Sequence, residues 1–310
     1  MKRACWLVVC SGLLAGCASA PKGPAAARVR DGELVRLEDR ARHVFEREAA
    51  AQAANLYAGV LRRARALDDA EEIGNAAYNL AVCLVAAGRY DEAAGFLRES
   101  AKELGRARVN LADVLVVQAR VAQMRGEAEE ALRFAGEVFA NRGSDPGPAH
   151  RAEVALLRGE VACVRGRTDQ ARVLWGEARA LLRANPEQSL VAGVERLGGV
   201  ILGLEGRHEL AAQAFDREAV ARRDGRQLLE MGRALGRAGD AWRLAGKERL
   251  AADRLFRAAR SGLAQGVREP AIRWQRQAVE LAERAGDEVL AREARRLGAE
   301  ILAPEGDGVR

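Results

Sequence analysis

Asn79-Leu80-Ala81-Val82-Cys83-Leu84-Val85-Ala86-Ala87-Gly88-Arg89-Tyr90-Asp91-Glu92-Ala93 is the stretch from which the fold is read. It joins an apolar segment to a polar one through a glycine, and its three marker positions recur along the chain. The glycine returns at Gly126, Gly166, Gly206, Gly246 and Gly286, spaced by 38 residues once and then by 40 four times. Five residues after each glycine stands an alanine: Ala93, Ala131, Ala171, Ala211, Ala251 and Ala291, with Ala53 one period earlier. Seven residues before each glycine, or before Glu48 in the first copy, the residue is small: Ala41, Ala81, Ala119, Gly159, Gly199 and Gly239; only Val279 departs. Self-similarity at such a period marks a stack of supersecondary units. Small residues let two helices approach closely. Large residues four positions after five of these alanines, Tyr57, Leu97, Trp175, Phe215 and Leu255, fill the grooves between them, while the last copy has Arg295 there.

These positions resemble the tetratricopeptide repeat, whose first helix carries a small residue facing the second, whose turn is Gly-rich and whose second helix carries a further small residue. The resemblance covers residues 31–302 as seven copies: 31–70, 71–107, 108–147, 148–187, 188–227, 228–267 and 268–302. It implies an all-α protein, a right-handed superhelical α-solenoid of about seven helix-turn-helix repeats. The period near 40 is longer than the usual 34 and adds about one and a half turns per copy. Composition agrees: the chain is 49% hydrophobic but only 4% aromatic, which favours helix packing over strands. Pro148, Pro186 and Pro270 fall between one pair and the next. The last copy, with Arg276, Glu280, Glu283, Arg284, Arg295 and Arg296, reads as a polar cap.

The first residues carry a separate message. Lys2 and Arg3 precede an apolar run from Ala4 to Leu14, the pattern of a secretory signal peptide (1–16) and too short to span a bilayer. It ends in Leu14-Ala15-Gly16-Cys17, which resembles the lipobox of bacterial lipoproteins. That resemblance implies cleavage before Cys17, lipidation of its thiol, and anchoring in the cell envelope. Ala18 rather than Asp then favours the outer membrane, facing the periplasm. Residues 17–30 read as a flexible tether and 303–310 as a disordered tail.

Few residues suit catalysis. His43, His150 and His208 lie in different copies without zinc-helix spacing, so no metal is expected. No G-x-S-x-G elbow occurs, and Cys83 and Cys163 sit in apolar helices as core thiols outside any disulfide framework. The glycines of Gly198 to Gly206 match repeat phases rather than a phosphate loop. Asp68-Asp69 and Glu71-Glu72 suit a helix start. Neither catalytic residues nor cofactors are expected. The formal charge of +6 is interleaved with acidic residues, which argues against nucleic acid.

What remains is a surface that binds a protein or peptide partner. The resemblance implies that the first helix of each pair lines a concave groove. It assigns to that groove Tyr78, Val82 and Val85, then Val116, Arg120 and Gln123, then Leu156, Glu160 and Arg196, and finally Asp240, Arg243 and Arg276. Tyr78, Val82 and Val85 are expected to form an apolar stripe suited to a partner helix or an extended peptide, the alternative being that long helices or the N-terminal copy cover it. The expected role is a membrane-anchored interaction scaffold or assembly factor. The alternative is a solute- or glycan-binding lipoprotein, disfavoured because Trp175 and Trp242 fall at core phases.

Overall fold

The structure, a computed structural model, describes residues 30–47, 49–140, 146–183 and 186–302. The residues read as a signal peptide (1–16), Cys17, the rest of the expected tether up to residue 29 and the expected tail 303–310 lie outside the described residues.

The repeat positions become helical hairpins. Among the described residues there are fourteen α-helices and no strand: α1 (Gly32–Glu46), α2 (Ala50–Ala66), α3 (Ala70–Ala86), α4 (Tyr90–Arg106), α5 (Ala112–Met124), α6 (Ala128–Ala140), α7 (Gly147–Val164), α8 (Thr168–Leu182), α9 (Gln188–Leu204), α10 (His208–Asp224), α11 (Leu228–Leu244), α12 (Glu248–Ala264), α13 (Arg268–Arg284) and α14 (Glu288–Leu302). Each recurring glycine ends an odd-numbered helix. At Gly88 the φ of +75° is one that L side chains rarely adopt. There the Arg89 N–H donates to the Leu84 carbonyl at 2.9 Å and the Gly88 N–H to that of Val85 at 3.0 Å. This reversal satisfies otherwise orphaned carbonyls and turns the chain back on itself. The even-numbered helices α2, α4 and α10 end in the same left-handed conformation at Asp68, Arg108 and Arg226, without glycine, whereas α12 uses Gly266.

The marker alanines are the places where helices touch. Ala53, Ala93, Ala131, Ala171, Ala211, Ala251 and Ala291 are all at most 1% exposed. A Cβ on Gly199 would lie 2.6 Å from the Phe215 ring, and one on Gly239 2.6 Å from Leu255, so each small residue receives the large residue of its own hairpin. Burial of side chains such as Leu97 and Leu255 contributes roughly 1.5–3 kcal/mol each. Trp175 goes elsewhere. It packs on Gly198 and donates its indole N–H to the Val194 carbonyl at 2.9 Å, joining α8 to the following hairpin. Asp69 caps α3, accepting from the Glu71 and Glu72 amides. Pro148 and Pro270 lie inside the first turns of α7 and α13, where the missing N–H costs nothing.

The chain divides into two compact units, Met1–Val161 and Ala162–Arg310. In the first, each helix from α1 to α6 packs on the next, and α3 also touches α5. Its start is pinned: the Arg30 guanidinium donates to Glu72 on α3 twice at 2.7 Å and to Glu38 at 2.9 Å, while Arg63 on α2 grips Asp31 at 2.7 Å. In the second, α8 to α14 follow the same nearest-neighbour plan, and α12 also touches α14.

Candidate functional site

In the first unit, the expected apolar stripe is closed. Val82 and Val85 are 7% and 6% exposed, and Tyr78 is half-buried against the core. Val116 and Leu156 are buried as well, at 4% and 1%. These four aliphatic side chains are core, not groove surface. The physical reason is that α3 has company on three sides: α2, α4 and α5 all pack on it, and its alanines allow a close approach.

The polar members of the same face do come together. Glu160 on α7 accepts from Arg120 Nη1 at 2.7 Å and from Gln123 Nε2 at 2.8 Å, and Arg120 Nη1 also donates to Gln123 at 2.9 Å. One repeat period separates Arg120 from Glu160, so the repeat stacks opposite charges on consecutive odd helices. Nearer the start of both helices, His150 bridges α7 to α5: Nε2 lies 2.8 Å from Asp113 and Nδ1 2.6 Å from the Pro146 carbonyl. The Asp113 carboxylate raises the His150 pKa above its usual value, against the opposing effect of burial.

In the second unit, the odd-helix faces are charged. On α11, Asp240 is half-buried and burial raises its pKa, with Arg243 opposing. Arg243, Arg273 and Arg276 are exposed, and among the described residues none lies within salt-bridge distance of an acidic group. Arg196 on α9 faces a cluster that the sequence reading missed, formed by Glu218, Arg222, Glu230, Arg233 and Arg237. Glu218 is fully buried and accepts from Arg237 Nη2 at 2.7 Å and Nε at 3.3 Å. Arg222 Nε stands 3.7 Å from Glu218, and Nη1 donates to Gln227 at 2.7 Å. Arg233 donates to Glu230 at 2.5 Å. Burial lowers the Arg222 pKa and raises that of Glu230, because both charges are taken out of water.

The signal was present in the repeat phases. Glu218 occupies the position held by Ala178 and Ala258 in neighbouring copies, Arg222 that of Leu182 and Gly262, and Arg237 that of Leu197. Charged residues at core phases are what to search for. Cys83 and Cys163 are buried, and among the described residues no group of three His, Cys, Asp or Glu side chains is arranged to hold a metal ion. Trp242 is core, its N–H donating to Asp216 at 3.1 Å.

Solved structures share this architecture. A signal-transduction ATPase with numerous domains and a tetratricopeptide repeat sensor, from Pyrococcus horikoshii, is similar over 89% of this chain, with TM-score 0.57 and 12% identity. The fold is tetratricopeptide-repeat-like. The present chain spans only 44% of that protein. The quorum sensor NprR from B. thuringiensis, in its apo form, is similar over 80% of this chain and 76% of its own, with TM-score 0.56 and 13% identity. PilW, a type IV pilus biogenesis factor, is similar over 75% of this chain and 96% of its own, with TM-score 0.50 and 15% identity. No protein-family model and no curated protein matched. In tetratricopeptide-like terms, the odd helices carry the faces just described. None of the helices among the described residues is long and apolar enough to cross a membrane.

Proposed function

We propose that this protein is a lipid-anchored scaffold of the cell envelope that binds a protein or peptide partner on the polar faces of its odd-numbered helices and performs no catalysis. The observation that carries the reading is the row of exposed arginines Arg243, Arg273 and Arg276 beside the half-buried Asp240, all on α11 and α13 and without salt-bridge partners among the described residues. Guanidiniums without intramolecular salt-bridge partners are available to a ligand of opposite charge. In the same second unit Arg196 belongs to this face; in the first unit Tyr78, Arg120, Gln123 and Glu160 form a separate candidate face, with Val82, Val85, Val116 and Leu156 as its supporting layer. Anchoring rests on the Leu14 to Cys17 box, and the outer-membrane, periplasm-facing location on Ala18. The fold shared with PilW is compatible with an envelope role.

The test is site-specific photo-cross-linking in the full chain. A cross-linking amino acid at Arg243 or Arg276 should capture one common partner. The same group at the exposed Val173 or Val220 on α8 and α10 should not. Capture from the α8 and α10 positions alone, or from none, would overturn the proposal.

A further inference from the structure

Buried charge is expensive unless paired and fully hydrogen-bonded, and replacing a buried ion pair by apolar residues is often neutral or stabilising. Against that background the α9, α10 and α11 cluster is costly. Other copies fill the equivalent positions with Ala178, Leu182 and Leu197, all buried. Here Glu218, Arg222 and Arg237 replace them, their side chains 0%, 5% and 15% exposed. Within the cluster, Arg222 and Arg237 share the single carboxylate of Glu218, at 3.7 Å and 2.7 Å. Among its donors, Arg222 Nε and Arg237 Nη1 are buried without a hydrogen-bond acceptor in the structure. The remaining bonds fix the guanidiniums in advance: Glu218 holds Arg237 through two nitrogens and Glu230 holds Arg233. Preorganised guanidiniums in partial excess are suited to a further carboxylate, because their ordering cost is already met. Arg233 and Arg237, with side chains 28% and 15% exposed, form the side of the cluster that solvent reaches. The repeat places Arg273 on α13 at the same phase as Arg233, one period on, which prolongs the positive face. Asp240, one turn beyond Arg237, confines an anion to the Arg233 and Arg237 end.

We propose that Arg233 and Arg237, backed by the buried Glu218 and Arg222, form a carboxylate-recognition site for acidic side chains in an extended segment of the partner protein. The proposal rests on the scaffold reading above and names the chemistry of its ligand.

The probe is a fluorescent peptide alternating glutamate and alanine, blocked at both ends, with its glutamine counterpart as control. Anisotropy on the full chain at low salt should show binding of the glutamate peptide, weakening as salt rises, and none of the glutamine peptide. The triple variant Glu218→Ala, Arg222→Leu, Arg237→Leu restores the side chains used elsewhere in the repeat. It should fold at least as stably as the parent while losing affinity by at least about tenfold. Arg233→Lys with Arg273→Gln, which keeps a cation beside the buried Glu230 while removing both planar guanidiniums, should lose a similar factor and decides the matter if the triple variant does not fold. A control pair on turn arginines, Arg167→Gln with Arg226→Gln, should change affinity less than about twofold. Several results would overturn the site: no binding by the parent, equal binding of the glutamine peptide, or full binding by folded variants. Binding that requires a free peptide C-terminus, or displacement by inorganic phosphate but not by acetate, would also reject it. Failure here is distinguishable from failure of the scaffold reading. A cross-linked partner retained by the triple variant removes the carboxylate site alone, whereas absence of any partner with the parent protein removes the scaffold.

Discussion

Gly199 and Gly203 sit one turn apart on α9, and exchanging each for alanine separates packing from helix propensity. In a helix interior, alanine is favoured over glycine by roughly 0.5–1 kcal/mol. At Gly203 the new methyl would meet only Ala211 Cβ at 4.0 Å, an ordinary contact, so Gly203→Ala should stabilise by about that amount. At Gly199 the methyl would stand 2.6 Å from Phe215 Cε1 and 2.8 Å from Cδ1 and Cζ. Ordinary carbon contacts are about 3.5–4.0 Å, so the ring must retreat by roughly 1 Å. Phe215 is 7% exposed and packed with Ala238 and Trp242, which leaves it little room. Overpacking of this kind costs about 1–3 kcal/mol. Net of the propensity gain, Gly199→Ala should destabilise by about 0–2 kcal/mol. The assay is urea unfolding followed by tryptophan fluorescence, since Trp175, Trp242 and Trp274 all lie in the Ala162–Arg310 unit. The expected order of midpoints is Gly203→Ala above the parent and Gly199→Ala at or below it. A Gly199→Ala midpoint equal to or above that of Gly203→Ala would refute the close approach of α9 and α10 on which the hairpin reading depends.

Four further outcomes are expected. Because Asp113 raises the pKa of His150 in the folded state, the pair stabilises fully below the unfolded value of about 6.5 and is lost as pH rises through the folded value. Asp113→Asn should flatten the melting temperature across that window, and an NMR titration of His150 should fall toward the unperturbed value. Arg226 adopts a φ of +58°, so Arg226→Gly should stabilise by up to about 1 kcal/mol, whereas Gly206→Ala, at +74°, should cost about 1–2 kcal/mol in thermal melts. Cys17→Ser should move the protein from the detergent-extractable membrane fraction to the soluble one, and unchanged partitioning would count against lipidation. Cys83 and Cys163, both buried, should react with a thiol reagent only after unfolding, at two equivalents for the two body thiols.

Repeat phase was legible because glycine with positive φ and buried alanine are backbone-level requirements that few residues meet. Gly88 through Gly286 and Ala53 through Ala291 therefore announced the hairpins directly. Depth was not. Val82 and Val116 share a helix face with Arg120, and phase alone says which way a side chain points, not whether a third helix covers it. The buried Glu218 and Arg222 escaped for a related reason. An i, i+4 pair of opposite charge on a helix usually signals a solvated surface, and only comparison with Ala178 and Leu182 reveals a core position. The His150 bridge was not legible because its partner Asp113 lies 37 residues away, on a different helix.

The clamp at the start of the described chain has a mechanical consequence. Arg30 is bonded to Glu72 on α3 as well as to Glu38 on its own hairpin, and Asp31 is held by Arg63. A pull transmitted from the preceding residues therefore enters the second hairpin directly. The first hairpin, which holds Glu38 and Arg63, shares that load. A protein held at one end while a partner tugs on its other helices would thus resist unzipping from that end until both guanidinium grips had been broken together.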